Sequence, residues 1–286
     1  MAGELSELRA AGVATPEPDL IYDVGLHLGE DTAYYLALGY RVVAFEANPD
    51  LVEHCQRRFA AERANGRLVI VGGAIAPAGS PPTVTFYRNV KSVWGTISAD
   101  WAERNAKLFR GSTTITVPTV DFGDCLARHG VPHFLKVDVE GVDGLVIKTA
   151  CALENGPAFI SMESEKVDFN RLVSDIDQLC DAGYCGFKIV QQASIPGSVV
   201  KVNTLSGDSL RYRFEKHSSG PFGDQLPGPW LDRDQTIERY RGIFRSYRLI
   251  GDTSLLGRYA RIVTKPAEKI FRTGLPGWHD LHARRA

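Results

Sequence analysis

The sequence predicts an α/β fold, a doubly wound and mostly parallel Rossmann-like sheet followed by a loop-rich C-terminal cap. Two observations carry this expectation. From residue 20 to 165, short β-rich runs alternate with helical patterns at the spacing of βαβ units, which build parallel sheets. After residue 192 the alternation stops, and Pro196-Gly197, Gly207-Asp208, Ser218-Ser219-Gly220-Pro221 and Pro227-Gly228-Pro229 mark loops instead.

A buried strand over 20–24 ends in Gly25. Residues 32–38 are helical and stop at Gly39, and a second strand spans 41–46. Asn48 as cap and Pro49 as first residue open a helix that runs to about residue 63. A third strand covers 68–71. Residues 83–88 alternate Thr, Val, Thr, Phe, Tyr, Arg, as a strand with one exposed face does. Residues 118–129 read as a strand end and a short helix with Asp121 near its cap. Strands at 134–139 and 158–162 flank a helix at 141–152. A helix at 168–181 closes at Gly183, and a further strand covers 187–190. Beyond the loops, a helix over 233–248 carries Ile237, Tyr240, Phe244 and Tyr247 as an apolar stripe, with Arg241, Arg245 and Arg248 on another face. The organisation expected is an N-terminal extension (1–19), a core (20–192) and a substrate-side cap (193–286) packed on that core.

Composition narrows the class of protein. Of 286 residues 44% are hydrophobic and 23% charged, which excludes disorder for the bulk of the chain. The longest apolar runs, such as 68–71, fall far short of the ~20 residues a membrane span needs. Met1-Ala2-Gly3-Glu4-Leu5-Ser6-Glu7 has no basic region and no apolar stretch, so no signal peptide is expected. Cysteines at 55, 125, 151, 180 and 185 form no Cys-x-x-Cys pair and suit reduced thiols in a cytoplasm, each as a small apolar filler. Charge is uneven. From Arg233 onward, 12 Lys and Arg stand against 5 Asp and Glu, whereas the preceding 232 residues carry 21 against 29. A basic segment on an acidic body suits an anionic substrate, the acidic body of a second subunit in a homo-oligomer, or plain solvation.

Ligands of such sheets bind at the carboxyl ends of the strands. The first strand leads into Asp23-Val24-Gly25-Leu26-His27-Leu28-Gly29. Two glycines permit a tight turn and close backbone approach, without the G-x-G-x-x-G spacing of dinucleotide folds. A carboxylate at Asp23 repels a pyrophosphate but suits the sulfonium and ammonium of S-adenosylmethionine, so charge sign favours that donor over NAD. Glu46 ends the second strand, where a carboxylate accepts both ribose hydroxyls; its other reading is a cap for the following helix. In Lys136-Val137-Asp138-Val139-Glu140-Gly141, period-two alternation puts Lys136, Asp138 and Glu140 on one side. With Glu163 ending a neighbouring strand, several acids converge on one rim, or Lys136 pairs with Asp138 or Glu140 as a structural unit. Candidate donor-binding residues are Asp23, Gly25, His27, Gly29, Thr32, Glu46, Ala47, Gly73, Ala74 and Asp138. No metal site is assigned.

These residues resemble a known family. Asp23-Val24-Gly25 with Gly29-Glu30-Asp31-Thr32, then Phe45-Glu46-Ala47-Asn48-Pro49, Val120-Asp121-Phe122 and Lys136-Val137-Asp138-Val139-Glu140-Gly141 are similar to the FkbM family of S-adenosylmethionine-dependent methyltransferases. The Lys-x-Asp-x-Glu-Gly segment is the most specific of these. Ser219-Gly220-Pro221-Phe222-Gly223 and Gly277-Trp278-His279-Asp280-Leu281-His282 look similar to segments of one bacterial subset. The resemblance implies a class I methyltransferase fold and O-methylation of sugar or natural-product hydroxyls. Where the family often carries Ala-Asn after Gly25, this chain has Leu26-His27.

Methyl transfer to a hydroxyl needs alignment and removal of the hydroxyl proton. Asp138, Glu140, Glu163 and His27 are the candidate catalytic groups, with Asp138 foremost as a donor contact. His279 and His282 are further bases if the tail folds over the site. The loop 91–96, with Trp94, reads equally as a lid or a packed turn. Three other functions stay open. A non-catalytic nucleotide-binding module shares the same turn. A nucleic-acid methyltransferase suits the basic helix but lacks an Asn/Asp-Pro-Pro-Tyr segment. An NAD-dependent oxidoreductase is disfavoured by Asp23.

Overall fold

A computed structural model describes residues 15–89, 112–139, 141–165, 167–250 and 278–286, with backbone alone at 88, 89, 112 and 247–250. The loop 91–96, Glu140, Gly277 and residues 1–14, weighed above, lie outside the described residues, as do the side chains of Tyr247 and Arg248. Two compact units divide the chain: residues 1–158 with 202–210, and residues 159–201 with 211–286.

The first unit runs β1 (Glu17–Val24), α1 (Glu30–Ala37), β2 (Arg41–Glu46), α2 (Pro49–Arg58), α3 (Ala60–Ala64), β3 (Leu68–Gly72), β4 (Ala74–Ile75), β5 (Thr83–Asn89), β6 (Ser112–Val120), α4 (Phe122–His129), β7 (Pro132–Val137) and α5 (Asp143–Cys151). Four of its strands are parallel neighbours in the order β3-β2-β1-β7. Residues 20–24 of β1 and 42–45 of β2 are buried throughout, as strands covered on both faces are. A smaller sheet in the order β4-β6-β5 pairs β4 and β6 parallel and β5 and β6 antiparallel.

Local chemistry sets the helix starts. Asn48 Oδ1 accepts the Asp50 N–H at 3.1 Å with Pro49 at the first position. Asp121 accepts the N–H groups of Gly123 and Asp124 at 2.7 and 3.2 Å. The helix expected from Asn48 to about residue 63 is broken at Phe59, whose backbone leaves helical geometry. Phe59 is itself buried, so packing of its ring overrides helix continuation.

The core of this unit is aromatic. Tyr22 lies 5.5 Å from Phe45 and 6.0 Å from Phe122, centroid to centroid, and Phe45 lies 5.6 Å from Phe122. The buried Tyr22 hydroxyl is shared between the carbonyls of Cys125 and Gly130, at 3.0 and 2.9 Å, which ties β1 to both ends of the α4 turn.

The second unit contains β8 (Phe159–Glu163), α6 (Phe169–Asp181), β9 (Tyr184–Gln191), α7 (Arg233–Ile250) and β12 (His279–Arg285). Between β9 and α7 the chain forms the two-stranded sheet of β10 (Val199–Asn203) and β11 (Ser209–Arg213). β12 lies between β8 and β9, antiparallel to each. Asp168 caps α6, accepting from Asn170 and Arg171 at 2.9 and 3.2 Å. The Ser164 hydroxyl bonds the buried Tyr240 hydroxyl of α7. β10, β11 and β12 fall where the sequence reading has loops or tail.

Tyr22→Phe removes a buried donor and leaves two carbonyls short of a partner. It is expected to lower stability by about 1–3 kcal/mol in urea unfolding, with an unchanged circular dichroism spectrum.

Candidate functional site

Charge concentrates where β1 ends. Asp23 is fully buried on an otherwise apolar stretch, and its register partner on β7 is Lys136. The Lys136 ammonium lies 3.1 Å from Asp23 Oδ1, 3.3 Å from Asp31 Oδ2 and 3.8 Å from Asp138 Oδ2. It also donates to the Gly25 carbonyl at 3.2 Å. The second Asp23 oxygen accepts from Thr32 Oγ1 at 2.7 Å. Burial alone would lower the Lys136 pKa, but the carboxylates of Asp23, Asp31 and Asp138 outweigh it and hold it well above the usual lysine value. Lys136 is therefore a permanent cation. Asp31 is buried beside it, whereas the Asp138 side chain is 56% exposed.

The turn after β1 is held from both sides. The Gly25 and Leu26 N–H groups both donate to the Phe45 carbonyl of β2, at 3.1 and 2.9 Å. Gly25 has φ +99° and Gly29 φ +85°; a Cβ would overlap the Asp138 carbonyl at the first and the Phe59 ring at the second. Between them His27 takes φ +52°, unusual for a residue with a side chain. Its N–H donates to Glu46 Oε2 at 2.9 Å, and the Asn48 N–H donates to Glu46 Oε1 at 2.8 Å. Burial raises the Glu46 pKa against the opposing pull of those amides. The His27 ring lies 3.2 Å from the Glu30 carboxylate.

The remaining candidates divide. The Gly73 N–H donates to the Glu46 carbonyl at 2.9 Å, so Gly73 sits beside the end of β2. Ala74 belongs to a small buried cluster with Phe86 and Val117, against which Ala47 packs. Glu163 ends β8 in the second unit and is half-buried. His279 and His282 lie on β12, and His282 is buried opposite Ser161 and Lys188. Burial, with the Lys188 charge nearby, lowers its pKa to about 3, so its ring is neutral at physiological pH. Cys55 and Cys125 are buried fillers.

Two participants, quoted in the sequence only as part of Gly29-Glu30-Asp31-Thr32, were given no site role there. Glu30 and Asp31 look like ordinary first-turn helix acids, which favour a helix N-terminus. Their signal is the unmatched Lys136 inside the apolar run of β7, a charge that needs carboxylates elsewhere in the fold.

Asp23, Asp31 and Asp138 face the Lys136 ammonium, and Glu30 and Glu46 hold the neighbouring turn through His27, so carboxylates outnumber that lysine along the edge. A pyrophosphate is repelled there and a cationic cosubstrate is matched. Among the described residues no group of three or more His, Cys, Asp or Glu is placed to hold a metal ion. No described helix is long and apolar enough to cross a membrane.

A parallel α/β sheet with an acidic carboxyl edge defines the class as Rossmann-like and suited to a positively charged nucleoside cosubstrate. The chain belongs to the FkbM methyltransferase family, whose domain model, the methyltransferase FkbM domain, matches residues 23–188. S-adenosylmethionine is the methyl donor of that family. A search of curated proteins returns no match. Among solved structures the chain is similar to an FkbM methyltransferase from Methylobacillus flagellatus, with 16% identity, TM-score 0.39, and coverage of 72% of this chain and 46% of that one. The chain thus spans less than half the length of that protein. It is also similar to precorrin-6y C5,15-methyltransferase from Geobacter metallireducens, with 15% identity, TM-score 0.34, and coverage of 74% and 81%. A third is a methyltransferase from Geobacter sulfurreducens in complex with S-adenosylhomocysteine, with 12% identity, TM-score 0.34, and coverage of 100% and 92%.

The buried His282 gives a pH signature. The folded state resists its protonation until pH falls to about 3, whereas the unfolded chain takes up that proton near pH ~6.5. Its contribution is complete above that value and is lost as pH falls toward the folded pKa, by about 1.4 kcal/mol per unit. Urea midpoints measured between pH 7 and 4 are expected to fall, and less steeply in His282→Leu.

Proposed function

We propose that the protein is an O-methyltransferase that transfers a methyl group from S-adenosylmethionine to a hydroxyl of a sugar, glycan precursor or natural product. The observation that carries the reading is the charge where β1, β2 and β7 end: Asp23, Asp31 and Asp138 face Lys136, with Glu30 and Glu46 at the adjoining turn. The residues present fit the donor. Glu46 is fixed by two backbone amides and keeps lone pairs for ribose hydroxyls. Asp138, exposed at the end of β7, offers a carboxylate to an ammonium. Gly25, Gly29 and Gly73 let the backbone run close at the same edge. S-adenosylmethionine, when bound, supplies a methyl group already activated on sulfur.

The protein's remaining task is to orient the acceptor and take the hydroxyl proton, which passes to a carboxylate or imidazole as the oxygen attacks. Such help is worth about 10²–10⁴-fold in rate. Asp138, Glu140, Glu163 and His27 are the groups assigned to this stage. The cap over 193–286 carries acceptor selection in the same reading. Cytoplasmic location, a small-molecule acceptor rather than nucleic acid, and a homo-oligomeric state complete the proposal.

Calorimetry with S-adenosylhomocysteine, then mass spectrometry of a sugar and natural-product panel for the gain of one methyl, tests it. Glu46→Gln is expected to weaken S-adenosylhomocysteine about tenfold or more. Binding without turnover on any hydroxyl would favour a non-catalytic module instead. Glu163→Gln is expected to lower kcat with donor affinity intact if Glu163 is the base; a fall in melting temperature with kcat preserved would make it structural.

A further inference from the structure

Asp23, one of the acids that the sequence assigns to the donor, is spoken for inside the protein. One oxygen holds Lys136 at 3.1 Å, the other accepts from Thr32 at 2.7 Å, and the side chain has no exposed surface. A lysine ammonium has three N–H donors. Three acceptors lie within 3.3 Å of this one: Asp23 Oδ1, Asp31 Oδ2 and the Gly25 carbonyl. Asp138 stands further off, at 3.8 Å, and is mostly exposed.

We propose that Lys136 is a positioning residue of the donor site: anchored by Asp23 and Asp31, it fixes the Gly25 carbonyl, and the exposed Asp138 rather than the buried Asp23 is presented to the donor. The inference rests on the donor-site reading above. The Gly25 peptide is where such a clamp matters. Its glycine tolerates either sign of φ, so the backbone itself does not fix the carbonyl direction. Phe45 holds the N–H side of the turn and Lys136 holds the C=O side. Asp138 is tied through its own N–H to the Val24 carbonyl at 2.9 Å, so the clamp joins the ends of β1 and β7. An arginine would not substitute, because a planar fork cannot meet three acceptors around one atom.

The test separates charge neutralisation from positioning. In Lys136→Met/Asp23→Asn/Asp31→Asn the buried cluster is uncharged and close to its original volume, so no charge is left buried without a partner. Its circular dichroism spectrum is expected to match that of the unmodified protein, with a lower melting temperature from the buried amides, while S-adenosylhomocysteine affinity, by calorimetry below that temperature, falls at least tenfold. Affinity within twofold of the unmodified protein would overturn the inference. Asp138→Asn, at an exposed position, gives a second reading that does not depend on the buried cluster folding. It is expected to lose at least tenfold in affinity with melting unchanged, and unchanged affinity overturns the assignment of Asp138. If the unmodified protein takes up no S-adenosylhomocysteine, the donor-site reading itself falls. If it does, and Glu46→Gln weakens the uptake while the triple variant does not, the inference alone falls.

Discussion

The Lys136 ammonium is the group on which the first unit's architecture turns. Asp23 and Asp31 are buried carboxylates, and each would be costly to keep ionised without a counter-charge. Asp23 and Lys136 face each other in the β1–β7 register. A slip of one residue would bring Tyr22 or Val24 against the ammonium and leave a charge stranded among aromatic rings. The pair therefore specifies strand register as well as neutralising charge. It also reaches the turn, because the same ammonium holds the Gly25 carbonyl. Strand alignment and turn geometry are thus set by one cation.

Much of the first unit was legible because its signals are local. Continuous apolar runs marked β1, β2 and β7, and Asn48 and Asp121 marked helix starts through the short side-chain bonds that such residues make. Glu46 was legible from its position at a strand end. What was not legible was the sharing of charge across sequence distance. Period-two alternation puts Lys136 and Asp138 on one side, which suggested a local pair. That pair is present at 3.8 Å, but the fold also brings in, at shorter distances, Asp23, 113 residues away, and Asp31 from the first turn of a helix. Pattern along one strand says which way a side chain points but not which neighbour meets it.

The second unit was harder to read for the same reason. β12 has the sequence His-Asp-Leu-His-Ala-Arg-Arg, with no β-branched or aromatic residue. Intrinsic preference gives no reason to expect a strand. Pairing on both sides supplies it, and the buried Leu281, His282 and Ala283 complete the packing. β10 and β11 were missed because neither has a buried residue and both lie between loop-rich stretches, so no apolar face marks them.

The place of β12 also governs the order in which the second unit can assemble. β9 ends at Gln191 and the strand that joins it to β8 begins only at His279. During synthesis, β8 and β9 emerge with open backbone edges and wait for some ninety further residues before the sheet is filled. Such long-range closure is slow, and unpaired edges in the interval invite pairing with other chains. Maturation of this unit is thus a late event, set by delivery of its last strand and sensitive to whatever shields the gap meanwhile.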